Sequence, residues 1–385
     1  MQDTVVILCW KSPYPIRGGL DLRVDGICKA LSKTNQVVLI CLEGAEDVKP
    51  DYVSGIKIAP KHETPQNHVI LKWGLENPED PFGIFVHENQ TNFIRNQLIE
   101  ISPENVIISR TMMWRFYIDT RYHLQCNSIL DLDESSKRLS ESFANASLIG
   151  PQIKFISNYH KRNIDFEKQS IKDADYVLVS SEIEKKECLE HKSPEHIVVI
   201  NNVVHSSNVS HSHPRSKKRI LFPGNFDYPP NREAFKEIAK TLAPRLLDYE
   251  FVIAGSGTIK LQFKNRNIEV KRNPEFMSEE FLSSEFLIAP IRFGAGTRLK
   301  VLEALHYGTA VIATKFAVEG LHLEPGIHYY QAESPAEFII AIEELGANEK
   351  LKSYLTENGR EFVHQNHRPE AIEAKLNGVL RTRNY

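Results

Sequence analysis

Long apolar runs are missing from this sequence. No stretch approaches the ~20 consecutive apolar residues that cross a bilayer, and the opening segment, Met1 to Trp10, has no basic residues ahead of its short apolar run. That segment reads as a buried strand, not as a secretion signal. Cysteine is scarce, 5 in 385 residues, and Cys9, Cys28, Cys41, Cys126 and Cys188 show no CxxC spacing. Reduced, buried and inert thiols in a cytoplasmic protein are therefore expected, with neither a disulfide framework nor a zinc ribbon. An excess of either charge is absent too: 47 Lys and Arg against 50 Asp and Glu leave a formal charge of −3. Binding along a nucleic-acid backbone needs a concentrated basic surface, so nucleic acid is not expected as the main partner. Neither half shows Gly-x-Gly-x-x-Gly after its first strand, which disfavours a dinucleotide dehydrogenase.

What is present is the grammar of α/β layers, twice, in a chain of a length suited to two domains. In the first half, apolar strands are expected at Val5 to Leu8, Val37 to Leu42, Val106 to Ile108, Ser128 to Leu130, Tyr176 to Val179 and Ile197 to Ile200. An amphipathic helix from Leu20 to Leu31 separates the first two, the βαβ signature of a parallel sheet. Val48 to Phe93 is rich in Pro, His and Asn and is expected to be irregular, with some strand. From His205 to Lys218 the composition turns to Ser, His and Pro without a period, which reads as a linker. The second half then restarts with strand Arg219 to Phe222, helix Arg232 to Leu242, and strands Phe251 to Ala254 and Phe286 to Ala289. Helix Thr297 to Tyr307 and strand Ala310 to Ala313 complete it. The expected domains are 1–205, a linker 206–218, 219–366, and a terminal segment 367–385 whose helix, about Pro369 to Thr382, is placed to pack back on the first domain.

The segment Ala289 to Thr314 carries the most chemistry. A buried strand enters the turn Gly294-Ala295-Gly296 and a helix begins at once, so the first N–H groups of that helix have no partner and suit a phosphate. The glycines let an anion approach the backbone, and Arg298 and Lys300 add charge-assisted donors that would stabilise a leaving phosphate. Glu303, in the second helical turn, suits ribose hydroxyls. A Gly-x-Gly turn alone is an ordinary structural device.

The full string Gly294-Ala295-Gly296-Thr297-Arg298-Leu299-Lys300-Val301-Leu302-Glu303-Ala304 resembles the donor-site signature of retaining, family 4-like glycosyltransferases (glycosyl transferases group 1) of the GT-B fold. Leu221 to Asn231, with Gly224 and Asn225, is similar to the opening strand and loop of their second domain. Ala254-Gly255-Ser256-Gly257, Glu319-Gly320-Leu321 and Asp175 to Glu182 resemble further segments. Val199-Ile200-Asn201-Asn202-Val203 departs from the family's Pro-Asn-Gly-Val by lacking Pro and Gly. The resemblance implies two Rossmann-like domains facing each other across a cleft. It implies a nucleoside-diphosphate sugar as donor, no cofactor and no metal, and transfer to a glycan or other hydroxyl acceptor with retention. It suggests bacterial surface-polysaccharide or glycoconjugate assembly, with peripheral membrane association if the acceptor is lipid-linked. Many members carry two glutamates seven residues apart, the first facing the donor sugar and the second the ribose; Glu303 matches the second, and Ala295 stands at the first. That leaves the sugar contact unassigned, and a same-fold epimerase or a non-catalytic nucleotide-sugar-binding subunit are the alternatives.

In the first half, Arg17-Gly18-Gly19 lies between the first strand and its helix, similar to a glycine loop that approaches the donor in GT-B enzymes. Asp131 and Asp133 follow a strand with the spacing of a metal motif, but the two-domain architecture favours binding of an acceptor hydroxyl. Arg110 and His123 are further acceptor-side candidates. His211-Ser212-His213 has metal-like spacing without a third ligand.

Overall fold

The computed structural model describes residues 3–63, 65–77, 79–146, 151–204, 215–257, 265–296 and 298–380. Thr297, most of the expected linker and the pair His211 and His213 lie outside them.

The chain divides into two compact units, Met1–Val203 with Pro369–Tyr385, and Val204–Arg368. The first unit begins β1 (Thr4–Lys11), α1 (Gly19–Leu31), β2 (Gln36–Glu43), β3 (Gly55–Ile58), α2 (Asn67–Glu76), α3 (Glu88–Ile101) and β4 (Asn105–Ser109). It continues α4 (Thr111–Tyr117), β5 (Asn127–Leu132), α5 (Ser136–Asn145), α6 (Pro151–Asp173), β6 (Tyr176–Val179), α7 (Glu182–Cys188) and β7 (Ile197–Val199). The second unit opens β8 (Ser216–Asn225), α8 (Pro229–Glu237), β9 (Glu250–Ser256), β10 (Ile268–Arg272), α9 (Met277–Ser283) and β11 (Ser284–Ala289). It closes α10 (Leu299–His306), β12 (Ala310–Ala313), β13 (Tyr330–Gln331), α11 (Pro335–Ala347) and α12 (Glu349–Asn366), after which α13 (Pro369–Leu380) rejoins the first unit.

Both sheets are parallel throughout, in the orders β3-β2-β1-β4-β5-β6-β7 and β10-β9-β8-β11-β12-β13. In each, the chain winds outward in one direction and then restarts beside its first strand, which creates a switch point between β1 and β4 and another between β8 and β11. The near-continuous apolar strands follow from burial on both faces. Alternation along β1 sends Val6 and Leu8 to a core completed by Ile94, Leu98, Trp114, Phe116 and Ile171. Val5, Ile7 and Cys9 point the other way, onto Val24, Ile27 and Leu31 of α1 and Ile372, Leu376 and Val379 of α13. Lys33 Nζ, 2.7 Å from Glu373, and Lys375 Nζ, 3.2 Å from the Val199 carbonyl, hold α13 there.

Three segments differ from the sequence-based expectation. Val48 to Phe93 contains β3, α2 and the start of α3, because its apolar residues recur at helical spacing around the prolines. Ser216 to Lys218, expected in the linker, are the first residues of β8, whose polar end is exposed while Ile220 to Phe222 are buried. The helix after β8 begins at Pro229, since proline at a first helical position loses no hydrogen bond; it passes into a π turn at Ile238–Leu242. All five cysteines are free thiols; four are buried and Cys126 is half-buried.

A buried ion pair crosses the first unit. Arg23 on α1 donates Nε to both oxygens of Asp131 at 3.0 Å and Nη2 to Oδ1 at 2.6 Å. Its Nη1 reaches the Ile200 carbonyl at 2.9 Å and Asn202 Oδ1 at 2.7 Å. Burial raises the Asp131 carboxyl and Arg23 pulls it back down. Breaking one half of such a pair strands a charge in low dielectric. Arg23→Ala is therefore expected to cost about 3–5 kcal/mol in urea unfolding at pH 7.5, and less at pH 5, where the stranded Asp131 takes a proton. The double variant Arg23→Met/Asp131→Leu should recover most of the loss.

Candidate nucleotide site in the second domain

Three strand exits meet at one edge of the second sheet, because β8 lies between β9 and β11. Glycine is required where they touch. Gly224 pairs with Gly255 in register; a Cβ on Gly255, at φ +139°, would fall 2.0 Å from the Gly224 carbonyl oxygen. Gly294, at φ +113°, has Tyr228 Oη 2.7 Å from the place its Cβ would take. Gly296 also has positive φ, +76°. The Ala295 N–H donates to Tyr228 Oη at 3.4 Å. Ala295 itself is buried.

From this turn α10 starts with Arg298 as its N-cap and without a side-chain cap. Leu299, Val301, Leu302, Ala304 and Leu305 are buried, which leaves Lys300 and Glu303, one helical turn apart, on the half-buried face. Lys300 Nζ donates to Asn231 Oδ1 at 2.8 Å and lies 4.8 Å from the centroid of the Phe222 ring. Asn231 Nδ2 in turn donates to the Asn225 carbonyl at 2.8 Å. Lys300 is thus drawn toward the exit of β8. Burial pulls its ammonium down to about 7, Arg298 adding repulsion and Glu303 opposing. Burial likewise pushes Glu303 up to about 7 against the attraction of Lys300. The Glu303 carboxylate makes no hydrogen bond to a described residue.

Arg298 is placed differently from expectation. Its Nη1 is turned onto the carbonyls of Ala295 and Gly296, and its guanidinium carbon lies 5.2 Å from the centroid of the Phe316 ring. It braces the turn from within, 9% exposed. Tyr228 and Asn231 were not singled out from sequence. Their spacing on either side of Pro229-Pro230 was the available signal, since that proline pair starts the helix and aims both residues at the turn.

In the first unit, Gly18 is the extended N-cap of α1 and Gly19 its first residue, at the exit of β1. Arg17 is exposed, and its N–H donates to Asp21 Oδ2 at 2.8 Å. Arg110 follows β4 as the N-cap of α4, across the switch point from that loop. Two sequence expectations need correction. Asp131 is 1% exposed and held by Arg23, so it offers nothing to an acceptor hydroxyl. His123 lies in the turn that leads into β5, at the edge where strands enter, because a parallel sheet separates entries from exits. Asp133 remains at the exit edge, paired with Arg110 at 2.8 Å. Among the described residues no group of three or more His, Cys, Asp or Glu side chains is placed to hold a metal ion, and no helix is long and apolar enough to cross a membrane.

Stability should report the Lys300–Glu303 face. With Glu303 raised in the folded state, the unfolded chain releases its proton first, so stability falls as pH rises from about 4.5 to about 7. Glu303→Gln removes that fall. In urea unfolding the variant should gain on wild type by on the order of 1 kcal/mol more at pH 7.5 than at pH 5.

Residues 217–348 match the family model described as glycosyl transferases group 1. No curated protein matches the chain in sequence. Among solved structures, sucrose-phosphate synthase from Thermosynechococcus elongatus is similar with a TM-score of 0.71 at 14% identity, over 99% of this chain and 98% of that one. Anabaena HepE, solved with UDP-glucose, gives 0.69 at 11% over 98% and 99%. WaaG, a glycosyltransferase involved in lipopolysaccharide biosynthesis, gives 0.68 at 13% over 97% and 100%. The chain accordingly has the two-domain GT-B fold, and residues 217–348 of its second domain are similar to the glycosyl transferases group 1 model.

Proposed function

We propose that this protein transfers a sugar from a nucleoside-diphosphate sugar to a hydroxyl of a glycan or related acceptor, retaining the anomeric configuration and using no metal. The observation that carries the reading is the uncapped start of α10 behind Gly294 and Gly296, with Lys300 and Glu303 on its half-buried face. Backbone N–H groups there suit the diphosphate, Lys300 adds a cation, and Glu303 accepts from the ribose. Donors fixed in advance around the leaving oxygen are commonly worth about 3–4 kcal/mol each as negative charge grows on it.

In the step itself the bond from the anomeric carbon to the β-phosphate oxygen breaks. A bond to the acceptor oxygen forms on the same face, and the acceptor proton passes to the leaving phosphate. The fold neighbours support this reading through what they were solved with: UDP-glucose in HepE, and UDP with α-GlcNAc-glycerol in S. aureus TarM. Assembly of a bacterial surface polysaccharide or glycoconjugate is the proposed setting.

Thermal unfolding with UDP, GDP, ADP, CMP or NAD, each with and without EDTA, tests the donor site. At a concentration 100 times its dissociation constant a nucleotide adds roughly 2.7 kcal/mol. One nucleoside diphosphate should shift the wild type, EDTA should change nothing, and Glu303→Ala should lose the shift. A shift with NAD alone, or with no nucleotide, would sink the reading. Once a donor is known, an NMR time course should show the first-formed product with the donor's anomeric configuration; an inverted first product would refute retention.

A further inference from the structure

Arg292 stands between the end of β11 and Gly294, and its guanidinium is fully engaged. Nη1 and Nη2 grip the two oxygens of Glu237 at 2.6 and 3.1 Å. Nε and Nη2 reach the Glu333 carbonyl at 3.3 and 2.7 Å, and Nη1 also reaches the Pro290 carbonyl at 3.3 Å. Each N–H of the group thus has an acceptor.

Those acceptors belong to separate elements. Glu237 is the last residue of α8, Glu333 stands between β13 and α11, and Pro290 follows β11 itself. Glu333 extends the lacing, since its Oε1 accepts from the Lys315 N–H at 2.8 Å, just after β12, and from Gln331 Nε2 at 3.0 Å. From the other side buried Thr314 donates Oγ1 to the Ile291 carbonyl and accepts there from the Ala317 N–H at 3.1 Å. The exits of β11, β12 and β13 are therefore tied to one another and to α8.

α8 meets the glycine turn at both of its ends. Its N-cap, Tyr228, accepts from the Ala295 N–H, and its last residue, Glu237, holds Arg292. A helix is a rigid spacer of about 1.5 Å per residue, so the chain from Arg292 to Ala295 hangs between two points of fixed separation.

Stability does not account for this arrangement. The Arg292 side chain is 39% exposed and that of Glu237 21%, and ion pairs so open to water contribute little to folding. A lysine would supply the same charge from a single atom, whereas a planar fork is needed to reach a carboxylate and two carbonyls in set directions. We infer that Arg292 is a positioning residue of the nucleotide site. By fixing the exit of β11 against α8 and Glu333, it sets the direction in which the Gly294–Gly296 turn and the start of α10 present their N–H groups. The part played in nucleotide binding rests on the transferase reading, while the fixing of the turn stands on the second domain alone.

Amide exchange followed by NMR and nucleotide titration by calorimetry test the two parts. In nucleotide-free Arg292→Lys the Ala295 and Gly296 amides should exchange roughly fivefold or more faster than in wild type, the loss expected when about one hydrogen bond is misplaced. The amides of Phe251 to Ala254 in β9 should keep their wild-type rates. Glu237→Gln, which weakens the same grip from the other side of the pair, should give a smaller change at the same two amides, and Arg245→Lys, at an exposed arginine beyond α8, should give none. All three variants should melt within about 4 °C of wild type. Whichever of UDP, GDP or ADP binds the wild type should bind Arg292→Lys roughly tenfold or more weakly.

Wild-type exchange rates at Ala295 and Gly296 in Arg292→Lys overturn the inference. So does an acceleration shared by β9, which would make Arg292 a general stabiliser of the domain. Faster exchange with undiminished nucleotide affinity overturns the positioning role, since the turn would then move without consequence for the ligand. Where none of the three nucleoside diphosphates binds the wild type, the transferase reading fails, and an exchange effect confined to the turn still upholds Arg292 as the residue that fixes it.

Discussion

Parallel pairing is the constraint from which the rest follows. When every strand of a sheet runs the same way, every loop leaving a strand emerges at one edge and every loop entering emerges at the other. Each sheet here also restarts beside its own first strand, which parts the two central exits and opens a place for a ligand between them. The candidate residues therefore come from distant parts of the chain and share only a strand end: Gly224, Gly255 and Gly294 in the second unit, Gly18 and Arg110 in the first. His123 fails as a candidate for the same reason.

At the second-unit edge, the absence of side chains is itself a structural requirement. A Cβ at Gly255 would collide with the neighbouring strand's carbonyl, and one at Gly294 would collide with the Tyr228 hydroxyl. What reaches past the glycines is a short set of polar groups, Asn231, Lys300 and Glu303, whose surroundings hold the last two near neutrality instead of at their solution values. Burial disfavours the charged form of each, and the opposite charge one helical turn away partly restores it.

The first unit handles charge differently. Arg23 and Asp131 satisfy each other so fully that neither is available, and together they join α1, β5 and the segment after β7. Arg110 and Asp133, only a strand exit away, make a similar bidentate contact but keep one edge of the guanidinium exposed. Two aspartates separated by a single residue thus take different partners, because Asp131 lies within β5 beside α1 while Asp133 follows the strand's end, beside the turn that carries Arg110. The two arginines differ here by burial, not by chemistry.

The sequence by itself determined the class of fold and pointed to the glycine turn that makes the candidate nucleotide site. Apolar runs of strand length interleaved with amphipathic helices specify buried parallel sheets, and a glycine turn followed at once by Arg298, Lys300 and Glu303 marks an anion-binding helix start, since both signals are local in the chain. The alternation of strands and helices was legible in β1, β2, β4, β5 and β6, whereas α2 and α6 were not singled out. Only the tertiary structure decided that Arg298 braces its own turn, that Tyr228 and Asn231 close the site, that Asp131 belongs to Arg23, and that Arg110 pairs with Asp133. Each of those facts is a contact between residues far apart in sequence or a backbone angle imposed by such contacts, and side-chain identity alone does not say which partner a charge will find.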